Sequence, residues 1–145
     1  MTFQDLEAER AALLKKGQWL QGFKSTLMSD LAGTGYPLPV VKRTGATISG
    51  TANKATKSQI GIQTPYGNVV VLWQEMSPAT LLGMADYFTT KTTQPDALAD
   101  RFWLSGVFAF QNGFQKQGLV LLNRAAEKKP EYQGFLPLFS ETPAP

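Results

Sequence analysis

Leu6, Leu13, Leu20 and Leu27 recur every seven residues near the start of the chain, a spacing that holds side chains on one helical face. The pattern predicts a helix from Thr2, a suitable N-cap, to about Leu31. Asp5, Glu7 and Glu9 lie near its start, where the helix dipole favours acids, and Lys15 and Lys16 follow further along. The companion heptad positions are Phe3, Arg10, Gly17, Lys24 and Leu31, so the seam is apolar at its ends and polar or empty in the middle. Two arrangements fit. One is a helix, or a pair broken near Gly17 or Gly22, that packs on its own domain. The other is a dimerising or lever helix. Trp19 and Phe23 stand one turn apart, suited to docking.

After "AGTGYPLPVVKRTG", whose glycines and prolines break the helix, the period changes from helix to strand. "ATISGTA", "SQIGIQ" and "NVVVLW" read as three strands. "TPYG" at 64–67 is a reverse turn, and "NKATK" at 53–57 is expected to make the other reversal, giving an antiparallel meander over 45–74. Ile48, Ile60, Ile62, Val69 and Val71 are candidates for its buried face, and the unbroken "VVVLW" suggests cover on both sides.

Ser77-Pro78 starts a helix expected to reach about Phe88 and to bury Leu81, Ala85 and Phe88. A polar loop leads to Asp96, the expected cap of a helix that ends at Asn112-Gly113. A last helix, Phe114 to about Lys128, sets Leu119, Leu122 and Ala126 on one face, and Pro130 closes it. Tyr132, Phe135, Leu136, Leu138 and Phe139 form an apolar tail expected to fold back on the core, and residues 140–145 a frayed end. The fold class is therefore α+β: an N-terminal helical segment (1–32), a three-stranded antiparallel meander, and a helical part (77–139) in which one helix precedes a hairpin. All belong to one composite domain over 1–145.

Residues 99–132 resemble the tetratricopeptide helical hairpin. With Pro130 on that family's closing proline, Gly106 falls on the helix-A glycine, Gly113 at the turn, Gly118 on the small residue of helix B and Ala125 on its second alanine. Ala109 stands where the family has an aromatic, and Phe102, not Trp103, takes the leading tryptophan position. Small facing residues allow close helix approach in any tight αα-hairpin, so both a generic pair and a tetratricopeptide-like one remain open. Only one repeat is present, and the family's peptide-binding residues do not transfer. More broadly, "FKSTLMSDL", "TPYGNVVVLWQEMSPATLL" and "LADRFWLSGVFAFQNG", within residues 23–139, are similar to C-terminal accessory modules of large bacterial serine/threonine kinases and related multidomain proteins. The resemblance implies a non-catalytic module in signalling or envelope-associated proteins. No Gly-rich phosphate loop, HRD or DFG is present.

Composition removes much chemistry. With 145 residues, 43% apolar and 17% charged, the chain is globular, and its net charge of +3 is low for a protein that coats nucleic acid. It has no His and no Cys, which excludes Ser-His-Asp and Cys-His nucleophiles and the usual transition-metal ligands. The eleven carboxylates form no DxD or ExxE cluster outside the first helix. No enzyme, no cofactor and no metal are the resulting expectations. No apolar run is long enough for a membrane span, and the acidic start is unlike a secretory signal; the cytoplasm is favoured unless a signal or anchor was removed.

What remains is a protein-interaction or scaffold module that contacts a protein partner or a neighbouring domain, with Trp19, Phe23 and Trp103 as a candidate partner surface and homodimerisation through the first helix open. The alternative is a nucleic-acid- or anion-binding module. Lys42, Arg43, Lys54 and Lys57 cluster in and around the meander with no acid between Asp30 and Glu75, and Tyr66 or Trp73 could stack on bases.

Overall fold

The computed structural model of the protein describes residues 2–139; the tail at 140–145 lies outside them. The architecture is α+β, with helices at both ends of the described chain and a three-stranded antiparallel sheet between them. Helix α1 spans Phe3–Gly33 without a break at Gly17 or Gly22. Thr2 and Asp5 close its first turn reciprocally: the Asp5 N–H donates to the Thr2 hydroxyl, and the Thr2 N–H and hydroxyl donate to the Asp5 carboxylate. Those bonds hold the Asp5 carboxyl below its ordinary value.

The strand region departs from the simple meander at its first strand. Strand β1 (Val40–Val41) pairs with β2 (Thr47–Ile48) as a separate two-stranded ribbon. The strand is interrupted at Ser49-Gly50, where a Cβ on Gly50 would lie 2.4 Å from the Gln63 carbonyl oxygen. The main sheet runs in order β3 (Thr51–Ala55), β4 (Gln59–Thr64), β5 (Gly67–Leu72). Asn53, Lys54 and Ala55, expected in the reversal, therefore belong to β3, and the reversal falls at 56–58. A register shift between Ala52 and Lys54 lets this polar segment stay paired to β4.

Helix α2 spans Pro78–Thr90, and the Ser77 hydroxyl accepts from the Thr80 N–H at 3.1 Å. Helix α3 spans Pro95–Gln111. Its cap is Gln94, whose Oε1 accepts from the Ala97 N–H at 2.8 Å, so Asp96 sits in the first turn instead of capping it. Helix α4 spans Gln115–Lys128, and a 3₁₀ helix follows over Pro130–Leu138. The turn between α3 and α4 uses Gly113 at φ 91°, a left-handed conformation that glycine adopts without steric cost.

The chain divides into two compact units. One joins the residues up to Phe23 with those from Thr92 on; the other is Lys24–Lys91. In the first, Trp103, Val107, Leu122, Ala125 and Phe139 form a buried cluster, with Trp19, Leu20, Phe110 and Tyr132 packed against it. The apolar tail after Pro130 thus does return to this core. In the second, Leu27, Leu31, Ile60, Ile62, Val71, Met76, Met84 and Phe88 are buried. Each such side chain is worth about 1.5–3 kcal/mol relative to exposure.

Candidate interaction surface

The β4–β5 hairpin is built by its turn. Pro65 presets the reversal, Gly67 leaves it at φ 123°, and the Thr64 hydroxyl donates to the Gly67 carbonyl while accepting from the Tyr66 N–H. This fixes the register Gly61↔Val70 and Gln59↔Leu72, which turns Ile60, Ile62 and Val71 inward. Gln59, Gly61, Gln63, Asn68, Val70 and Leu72 consequently share the other face. Val70 and Leu72 are exposed, so the cover that "VVVLW" suggested on both sides is not there. Val69 and Ile48 are only half-buried. Lys54 borders a shallow depression of about 270 Å³ over Gly61, with Asn53, Thr56, Gln59, Asn68 and Val70 around it.

Strand β5 is an edge strand. A two-residue turn makes Thr64 and Gly67 a hydrogen-bonded pair, and alternation along an antiparallel ladder then points the N–H and C=O of Asn68 and Val70 away from β4. Among the described residues no backbone group bonds to them. The next outward N–H, that of Leu72, donates to Glu75 Oε1 at 3.0 Å. This bond and the Lys42 ammonium, 3.3 Å from Glu75 Oε2, hold the Glu75 carboxyl below its ordinary value. The Glu75 side chain thus closes one end of an otherwise bare edge. In the sequence the one mark of this edge is that "GNVVVL" carries none of the charges or prolines that usually guard one.

The basic candidates do not converge on one platform. Lys42 is committed to Glu75, and the Arg43 Nε–H donates to the Gln74 carbonyl at 2.8 Å. Lys54 lies on the outer sheet face and Lys57 in the β3–β4 turn; both are exposed. Tyr66, 99% exposed, is at the opposite end of β4 from Lys57. Trp73 is buried, its indole N–H donating to the Thr56 carbonyl at 2.7 Å and the Lys24 ammonium 5.2 Å from its ring centroid, so it offers no stacking face.

The aromatic candidates are core. Trp103 is fully buried, with the Tyr132 ring stacked on it at 4.5 Å and Trp19 edge-on at 5.1 Å. Its indole N–H has no hydrogen-bond acceptor among the described residues. Phe23 is buried and stacks on Phe108 at 4.3 Å. Trp19 is half-buried, packed by Trp103 and Phe135. Trp103 lies under Tyr132 and Trp19, and Phe23 under Phe108, so neither ring is exposed as the expected partner surface would need. Beside this cluster Asp100 accepts from the Tyr132 hydroxyl and from Lys129 at 3.0 Å, and Lys129 also meets Glu131 at 3.1 Å. The two carboxylates hold the Lys129 ammonium above its ordinary pKa.

Among the described residues no carboxylate group is arranged to hold a metal ion, and no helix is long and apolar enough to cross a membrane. Comparison with protein-family models, with curated proteins and with solved structures finds no match to this chain.

Proposed function

We propose that this protein is a non-enzymatic protein-interaction module that takes an extended segment of a partner protein as an added strand on β5. The observation that carries this reading is the bare backbone of Asn68 and Val70 at the sheet edge, flanked on the outer face by exposed Val70 and Leu72. Main-chain bonds would supply affinity, and apolar side chains at alternate positions of the added segment would lie beside Val70 and Leu72. The resemblance of segments within residues 23–139 to accessory modules of bacterial kinases is the ground for placing it in a larger signalling or envelope-associated assembly. The nucleic-acid reading has less to stand on, since Lys42 and Arg43 are engaged locally and Tyr66 stands apart from Lys57.

A displayed peptide library selected on this protein tests the reading. Peptides of convergent sequence are expected, and Val70→Pro, which removes an outward N–H that the β4 ladder does not use, is expected to weaken them at least about tenfold. Unchanged thermal unfolding would show that the variant is folded. Absence of convergent peptides, or equal binding to a folded Val70→Pro, would overturn it.

A further inference from the structure

From Thr2 to Leu14 every residue of the chain except Ala12 is exposed. Phe3 (75% exposed), Leu6 (50%), Leu13 (65%) and Leu14 (64%) lie along one stripe of α1 together with Arg10 and Gly17. A stretch of about a dozen helical residues is marginal in water without an apolar face packed on something. Gly17 leaves a notch in the stripe: a Cβ there would meet nothing within 4 Å, and Arg10, Leu13, Leu14, Gln18 and Gln21 border the hollow.

We infer that α1 pairs with α1 of a second copy of this chain, antiparallel, in the register that sets Leu6 against Gly17. In that register Arg10 lies along Leu13, its stem on the leucine and its guanidinium at the rim. Glu9 comes beside Lys16 of the other copy, and two-fold symmetry repeats each contact. A parallel pair would instead place Arg10 on Arg10 and Gly17 on Gly17, joining like charges at one layer and leaving a void at the other. A lipid surface is a poorer occupant. Asp5, Glu7 and Glu9 balance Arg10, Lys15 and Lys16, whereas a membrane-surface helix presents a basic polar face.

The test uses the absence of native cysteine. Chains carrying Leu6→Cys and Gly17→Cys, mixed and mildly oxidised, are expected to give mainly the mixed disulfide. Sedimentation should show a concentration-dependent dimer that Leu13→Asp abolishes. Glu9→Lys should weaken it about five- to tenfold, since symmetry doubles both the lost ion pair and the like-charge contact that replaces it. All these positions except Lys16 are exposed, and far-UV circular dichroism checks that the variants are folded. A monomer up to about millimolar concentration, a predominant Leu6→Cys homodisulfide, or a dimer indifferent to Leu13→Asp would each overturn the inference. Val70→Pro should leave the dimer intact, so this pairing and peptide addition at β5 fail separately.

Discussion

A Cβ placed on Gly118 would lie 2.8 Å from the carbonyl oxygen of Gly106, and the same atom would lie 2.8 Å from the Phe110 nitrogen. Helices α3 and α4 therefore touch backbone to backbone, which only glycine at these two positions permits. Close approach of this kind serves any tight helical hairpin.

The contact makes the two glycines unequal. Gly118→Ala forces backbone apart and is expected to lower unfolding free energy by about 1–3 kcal/mol, even though alanine favours helix by about 1 kcal/mol. Gly106→Ala meets the buried Leu122 side chain at 2.8 Å and one backbone atom, the Gly118 carbonyl oxygen, at 3.0 Å, against three backbone atoms at Gly118, so its loss should be the smaller. Gly83→Ala in α2, whose nearest neighbour is the Tyr36 hydroxyl at 3.8 Å, should be neutral or stabilising. Urea unfolding of the three variants ranks them; a Gly118→Ala protein as stable as Gly83→Ala would contradict the packing.

Tyr132 gives the fold a pH dependence on the alkaline side. Burial first, then the hydrogen bond to Asp100, raises its hydroxyl above the ordinary value of 10.0. As pH rises the unfolded chain loses this proton before the folded one does, so the stabilisation is complete below about pH 10 and declines above it. Tyr132→Phe should cost roughly 1 kcal/mol near neutral pH by losing the bond to Asp100, and its deficit against the parent should shrink above about pH 10. Denaturant unfolding at both pH values reads the difference; a constant deficit would show that the hydroxyl does not couple to folding.

Caps separate Ser77 from Asp96. Ser77→Ala removes the acceptor for the Thr80 N–H and is expected to cost about 1 kcal/mol, and Gln94→Ala should show a similar loss at α3. Asp96→Asn should cost only a few tenths of a kcal/mol, the share of one exposed acid near a helix N-terminus. Thermal unfolding that puts Asp96→Asn above Gln94→Ala in cost would reverse the cap assignment.

The basic residues should divide by their partners. Lys54→Gln with Lys57→Gln is expected to reduce any low-salt retention on heparin while leaving unfolding within about 0.5 kcal/mol of the parent. Lys42→Gln should act through Glu75 instead, removing its ion pair and shifting the acid limb of stability upward in pH. In the parent the depressed Glu75 carboxyl stabilises the fold above about pH 4.5, its ordinary value, and that contribution fades as the pH falls further. Strong, sequence-independent retention of single-stranded DNA by the parent, lost in the Lys54/Lys57 double variant, would favour the nucleic-acid reading over peptide addition.

What the sequence determined by itself was local. Heptad leucines drew α1, Ser77-Pro78 opened α2, Pro65 and Gly67 turned β4 into β5, and Asn112-Gly113 reversed the chain between α3 and α4; each rests on the backbone preferences of a few neighbouring residues. The alternation in "SQIGIQ" likewise marked Ile60 and Ile62 as buried. Tertiary structure decided the rest, because it depends on partners distant in the chain. The close approach of Gly50 to Gln63 split the first expected strand into β2 and β3. Pairing to β4 drew the polar "NKA" into β3 against its own turn chemistry. The mutual burial of Trp103, Tyr132 and Trp19 turned an expected partner surface into core, since an aromatic ring reads the same in sequence whether another ring covers it or water does. Only the sheet order could leave β5 at an edge, with the outward backbone groups of Asn68 and Val70 unpaired by β4.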